Sequence, residues 1–243
     1  MKRSQFLKLL AASSASLFIP RLYGEEVDPF SPPKAVEYET NRAFTTAGPG
    51  FGRRLCITFD DGPNPSTTHM VLEELKKREV KATFFLVGKN VDAFPDSVKK
   101  IRDEGHELAN HSYSHPALKN MPEEKVRTEI FRCQESIEKA SGVKAVWFRP
   151  PYGSFSQKQQ PISTDYHLSV ALWSLDPLDW KKPGSSIVTQ RVLSQSNPGS
   201  IILLHDIHKQ TAEAVPAILD GLLERDYTFA TMSEFLGDPL ISL

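Results

Sequence analysis

The 243-residue sequence predicts an α/β fold in which a parallel sheet, closed or nearly closed into a barrel, is covered by helices. Three observations predict it. From Arg53 onward, short apolar strand-like runs alternate with segments of helical periodicity. The connections between them are short, as parallel βα units require. Seven or so strands in a single domain favour closure over an open sheet.

The elements follow in order. Leu55 to Phe59 reads as a strand, and Ser66 as the N-cap of a helix that runs to about Arg78, with Met70, Leu72 and Leu75 toward the core. Ala82 to Val87 is an unbroken apolar run with β-branched and aromatic residues, as a strand buried on both faces requires. Asp96 to Asp103 is a helix stopped by Gly105, and Glu107 to Ala109 a short strand. Pro122 to Ala140 is a long helix with Pro in its first turn and Gly142 past its end. Val143 to Phe148, Leu168 to Trp173 and Ser200 to Leu204 are further strands. Thr211 to Leu223 is helical despite Pro216, and Tyr227 to Ala230 closes the sheet.

Residues 53–243 form the domain, preceded by two segments of different character. Residues 1–24 read as an export signal or a retained signal anchor: Lys2, Arg3 and Lys8 precede a short apolar stretch from Leu9 to Ile19, ended by Pro20. An exported protein, in the periplasm, at the cell envelope or secreted, is the expectation. Residues 25–52 are rich in Pro and Gly and read as a tether or meandering arm. No later stretch approaches the roughly 20 apolar residues of a membrane span. The formal net charge of −1 gives no general attraction to nucleic acid. Cys56 and Cys133 read as two small buried hydrophobes, with a bridge between them as the alternative.

In a barrel of this kind, functional groups gather at the C-terminal strand ends. Polar residues do gather there. Asp60 and Asp61 follow the first strand, His111 the third and Arg149 the fourth; Asp176 and Asp179 follow the fifth, and His205 the sixth. Adjacent residues at a strand end project to opposite sides, so Asp60 and Asp61 can face different partners, one a metal and one a water. Taken alone, Asp-Asp-Gly-Pro also reads as a polar turn. His111 and His115 lie four residues apart, which in a helical turn points both rings one way, and Pro116 ends that turn. Two His and a carboxylate make a three-ligand site with open positions. In Phe148-Arg149-Pro150-Pro151-Tyr152-Gly153 the prolines stiffen the backbone and Gly153 permits a sharp turn. Such rigidity suits aiming one guanidinium and one N–H, although a surface Arg at a plain turn has the same letters. Trp180 could wall an apolar pocket and Asp179 orient a histidine. His205 beside carboxylates could serve as a general acid or be a structural core His.

Together these stretches resemble the polysaccharide deacetylase family with the NodB homology domain, carbohydrate esterase family 4, from about Arg53 to Leu236. Thr58-Phe59-Asp60-Asp61-Gly62-Pro63 and His111-Ser112-Tyr113-Ser114-His115 are similar to its first two motifs. Arg149-Pro150-Pro151-Tyr152-Gly153, Asp176-Pro177-Leu178-Asp179-Trp180 and Leu203-Leu204-His205 resemble the third to fifth. The resemblance implies a distorted (β/α)7 barrel of the NodB homology type. It also implies metal-dependent removal of acetyl groups from an acetylated polysaccharide, N-acetylglucosamine units of peptidoglycan or a chitin-like glycan foremost. O-acetyl xylan esterase, a non-sugar amidohydrolase and a catalytically silent glycan-binding module are the alternatives. Carried over by position, Asp61, His111 and His115 would hold a divalent metal, Zn²⁺ from the ligand set, with Co²⁺ or another ion as alternatives. Asp60 would be the base, Arg149 its partner, and Tyr152 the backbone donor to the oxyanion. His205, oriented by Asp179, would be the acid, with Trp180 and Leu203 around the acetyl methyl. His69, His106, His167 and His208 match no motif and read as surface residues or supports of the site. The Gln-rich run 157–161 replaces the usual apolar helix and is expected to rim the cleft.

Overall fold

Side-chain alternation along the central strand divides this protein into an inner and an outer core. The computed structural model describes residues 44–50 and 52–237, so the expected export segment and the start of the arm lie outside the described residues. Strand β1 (Arg54–Asp60) sends Leu55, Ile57 and Phe59 to a large cluster shared with the helices. Its other face gives Cys56 to a second cluster that fills the barrel interior with Phe85, Ala109, Trp147, Ile201 and Leu203. The same period of two governs the neighbours, as it must in strands buried on both faces.

The order of elements is β1, α1 (Thr67–Lys77), β2 (Thr83–Leu86), α2 (Gly88–Ala93), α3 (Pro95–Asp103), β3 (Glu107–Asn110), α4 (Glu123–Ser141), β4 (Trp147–Phe148), α5 (Gln160–Asp165), β5 (Ser169–Val170), α6 (Ser185–Gln195), β6 (Ile201–His205), α7 (Lys209–Leu223), β7 (Thr228–Phe229) and α8 (Met232–Leu236). All pairings are parallel, in the order β5-β4-β3-β2-β1-β6, with β7 paired to the start of β1. One isolated parallel bridge, Leu175 to Ile202, joins the chain beyond β5 to β6 and brings the ring nearly to closure. Thr45 of the arm pairs with Ala171 at the edge of β5, so the described end of the arm is part of the sheet rather than a tether. The distorted (β/α)7 barrel expected from the sequence is the fold observed.

Several expectations are corrected. The strands expected at 143–148, 168–173 and 227–230 form regular ladders over only two residues each, and beyond them single contacts continue, Ala171 with Thr45 and the Ala230 amide with Leu55 O. Ser66 takes the N-cap position of α1 without capping it; Asn64 Oδ1 accepts from the Ser66 and Thr67 amides instead. The Gln-rich run does enter a helix, α5: Gln159 is buried, donates to Leu118 O at 2.7 Å and completes a capping box with Ser156. His106 is not a surface residue. It packs on Phe84 and accepts from the Ala82 amide at 3.3 Å, and burial, with Lys81 adding, lowers its pKa to about 4, so it is neutral. Among the described residues, no helix is long and apolar enough to cross a membrane.

Cys56 lies in the inner cluster and Cys133, on α4, in the outer one, and both thiols are free. Burial pushes the Cys133 thiol up to about 12 and the Cys56 thiol higher still, which keeps both unreactive. Denatured without reductant, the protein should therefore titrate as two thiols per chain with a thiol-specific chromogen. A count of zero would contradict their placement in separate layers.

Candidate active site

At the C-terminal mouth of the barrel, alternation turns Asp60, His111, Arg149 and His205 to the interior, each two residues beyond Thr58, Ala109, Trp147 and Leu203 on its own strand. Asp60 is in register with His205 on β6 and with Phe85 on β2. Arg149 is fully buried. Its Nη1 donates to Asp60 Oδ1 at 2.6 Å and to Thr58 Oγ1 at 2.8 Å, and its Nη2 to Leu172 O at 2.9 Å. The guanidinium carbon lies 3.9 Å from the Phe85 ring centroid. Buried charge is thus matched by opposite charge and by acceptors on two strand ends.

His111 Nδ1 stands 2.6 Å from the carbonyl of Arg149. A carbonyl only accepts, so Nδ1 carries the hydrogen and the Nε2 lone pair faces the mouth. That Nε2 lies 3.5 Å from Asp61 Oδ1, and His115 Nε2 lies 3.0 Å from the same atom. Asp61, His111 and His115 offer ligand atoms that all fall within 4.8 Å of one another. Asp61 Oδ1 is buried yet has no aligned hydrogen-bond partner. Three potential ligand atoms converging on one point, one of them without an aligned partner, fit a divalent cation. Burial pushes the Asp61 carboxyl up, but the two facing imidazoles hold it well below the usual carboxylate range.

The His111–His115 segment is not the expected helical turn. Ser112 and His115 have φ of 61°, and Pro116 forbids a continuing helix. Side chains hold the segment instead. Glu129 on α4 accepts from the Tyr113 and Ser114 amides at 3.0 and 2.7 Å, and Asn110 Oδ1 accepts from the Ser112 amide at 2.9 Å. Glu129 and Asn110 carry no motif signature; only their position on the strand and helix flanking the segment could have pointed to them. Left-handed φ recurs around the mouth at Asp61, Tyr152 and Leu178. Non-glycine residues in that region cost of order 1–3 kcal/mol each and gather at functional sites.

On the opposite wall, Asp179 is fully buried and saturated. It accepts from His205 Nδ1 and the His205 amide, each at 2.8 Å, from Thr211 Oγ1 at 2.8 Å and from the Trp180 amide at 2.9 Å. Burial pulls the His205 pKa down, but the Asp179 bond and charge, helped by Asp60 and Asp61, outweigh it and raise the value to about 9. A cation at Asp61 would lower it again. Asp176 instead caps its own turn, accepting from the Leu178 amide at 2.7 Å. His208 sits beside His205, ring centroids 6.1 Å apart, at the edge of the mouth.

The remaining expected residues sit at different depths. Tyr152 is 70% exposed with its ring against His115, and Trp180 is 46% exposed, so both stand on the rim. Leu203 is buried a layer beneath His205. The mouth therefore joins every expected site residue, the two aromatics as rim and Leu203 as floor. Thr58, Thr211 and Asp206 join them unforeseen, and burial pushes the Asp206 carboxyl up to about 7.

Residues 48–171 match the family model described as polysaccharide deacetylase. Over 180 residues the chain is 38% identical to peptidoglycan-N-acetylmuramic acid deacetylase PdaC of Bacillus subtilis, covering 74% of this chain and 38% of that protein. It thus spans about two fifths of the length of that curated relative. The crystal structure of a peptidoglycan N-acetylglucosamine deacetylase superposes with a TM-score of 0.77 at 35% identity, covering 80% of this chain and 92% of the other. A carbohydrate esterase family 4 pseudoenzyme from Bacillus anthracis superposes with a TM-score of 0.76 at 32% identity, covering 80% and 69%.

The Asp179–His205 pair has a measurable consequence. A folded-state pKa near 9, above the ordinary 6.5, contributes stability that is complete below pH 6.5 and lost as pH rises through about 9. In metal-free protein, the His205 ring signals should titrate near 9 by NMR. Asp179→Asn should lower the midpoint clearly, since burial is then opposed only by the charges of Asp60 and Asp61. An unchanged midpoint would refute the coupling.

Proposed function

This chain belongs to the polysaccharide deacetylase family, and from that premise we propose that it hydrolyses the N-acetyl groups of N-acetylglucosamine units in peptidoglycan or a chitin-like glycan. The observation that carries the reading is the convergence, at one barrel mouth, of three cation ligands, a carboxylate fixed by Arg149 and an imidazole fixed by Asp179. A pure binding module has no use for a paired base and acid. Similarity to a pseudoenzyme means that the fold alone does not decide activity, so the reading stands on these residues.

Asp61, His111 and His115 would hold a divalent ion, Zn²⁺ by the nitrogen and oxygen donor set. When bound, that ion supplies a Lewis acid that polarises the acetyl carbonyl and acidifies a water. Asp60 takes the proton from the attacking water. Arg149 occupies its Oδ1, which leaves Oδ2, 3.5 Å from His111 Nε2, to receive the proton. Tyr152, its backbone turned by a φ of 58°, presents its N–H to the developing oxyanion. His205, with Nδ1 committed to Asp179, holds a proton on Nε2 and delivers it to the departing amine. Leu203 and Trp180 give the methyl group an apolar floor and wall, and the exposed Tyr152 and Trp180 rings flank the sugar. The reading of residues 1–24 as an export signal or anchor supports an enzyme that acts outside the cytoplasm.

Release of acetate from N-acetylglucosamine oligomers and from peptidoglycan, with metal content measured on the same sample, tests the proposal. Activity only on acetylated xylan would move the substrate to O-acetyl esters, and full metal occupancy with no acetate from any glycan would overturn the deacetylase reading. Asp60→Asn should retain metal and lose roughly 10²–10⁴-fold in kcat. His111→Ala should lose metal and activity together, and retained metal in that variant would break the ligand assignment.

A further inference from the structure

Asp206 follows the proposed acid, is fully buried, and has no part in the steps above. One of its carboxylate oxygens accepts from Thr68 Oγ1. Thr68 Oγ1 accepts from the Asn64 amide at 2.8 Å, and Asn64 Oδ1 accepts from the Ser66 and Thr67 amides at 3.0 and 3.2 Å. A chain of bonds thus runs from the end of β6, through the first turn of α1, back to the turn that follows Asp61. The carboxylate also rests against that turn directly. A Cβ built on Gly62 would lie 2.5 and 2.6 Å from its two oxygens, a distance that real Cβ atoms do not tolerate. The far side of the turn is pinned by Asn90 Nδ2 on Asp61 O at 2.7 Å and by the Val87 amide on Gly62 O at 3.0 Å. The turn is therefore clamped between α2 and Asp206.

The second oxygen of Asp206 is buried with no hydrogen-bond partner among the described residues. For stability alone, a small apolar residue would avoid the desolvation cost of that oxygen, so the carboxylate is better explained by the geometry that it imposes. We propose that Asp206 is a positioning residue: it buttresses Gly62 and, through Thr68, locks the turn that presents Asp61 to His111 and His115. This rests on the reading of those three residues as the metal ligands.

The test is Zn²⁺ affinity of the full chain, measured by competition with a chromophoric chelator, alongside melting of the metal-free proteins. Removing a residue that orients a metal ligand typically costs 10–100-fold in affinity, and Asp206→Ala should weaken Zn²⁺ binding by about that factor. Asp206→Asn keeps the shape and an acceptor for Thr68, so it should bind nearly as wild type. Gly62→Ala should weaken binding in the wild-type background but add little to Asp206→Ala, where the vacated space admits the methyl group. Wild-type affinity in Asp206→Ala, even with a lowered melting temperature, or additive effects of the two substitutions, would overturn the proposal. Should Asp206→Ala fail to fold, Thr68→Val removes only the hydroxyl link and should still weaken binding; unchanged affinity there overturns it equally. Wild-type protein that binds no Zn²⁺ would instead defeat the metal-centre reading, and the positioning role with it.

Discussion

The buried guanidinium of Arg149 is the interaction on which the rest of the mouth depends. It binds Asp60 and Thr58 on β1 and the carbonyl of Leu172 beyond β5, while its own carbonyl sets the tautomer of His111 beyond β3. One residue thus references three other strand ends to β4. The cost of dehydrating the ion is offset by these acceptors and by the Phe85 face. Removing either member of such a pair leaves a buried charge unmatched and typically costs about 3–5 kcal/mol. The geometry of the proposed base is therefore bound to the integrity of the barrel.

Histidine shows how far environment, rather than residue type, assigns chemistry. His111 gives Nδ1–H to a backbone carbonyl, which leaves Nε2 facing the mouth, as a metal ligand requires. His205 gives the same atom to a buried carboxylate, which favours the charged ring that a proton donor requires. His106, packed on Phe84 with a backbone amide pointing at it, stays neutral and inert. Three rings of one chemical kind serve three ends because a carbonyl, a carboxylate and an N–H face their Nδ1 atoms.

What was legible in the sequence follows from periods that sequence expresses directly. Alternation along Leu55–Asp60 and Ile201–His205 places Asp60 and His205 inward once the strands are read as parallel, and the other polar residues follow from lying at strand ends. The fold and the placement of the candidate site residues were therefore readable. Two kinds of feature were not. The short pairings of β4, β5 and β7 depend on which distant backbone lies beside each run, which no local window records. The supports of the ligand loop depend on contacts between distant segments: Glu129 reaches Tyr113 and Ser114 across 16 and 15 residues, and Asp206 reaches Thr68 across 138. The spacing of His111 and His115 suggested a helical turn, yet left-handed residues and Glu129 bring the rings together by another route.

That difference bears on why the loops around the mouth are strained. Asp61, Ser112, His115 and Tyr152 all take a left-handed backbone that their side chains disfavour, and each belongs to or flanks the proposed chemistry. Pro116 bars a helix beyond His115, so here left-handed residues bring two imidazoles and a carboxylate together beside a separately held base. The conformations that do so are unfavourable locally, so they persist only where packing and buried hydrogen bonds hold them from outside. Glu129 does this for the histidine loop, and Asn90 with Asp206 for the Asp61 turn. A chain can therefore keep the barrel, and even the residues that touch substrate, and still lose its metal geometry through a change in a buried residue that touches neither.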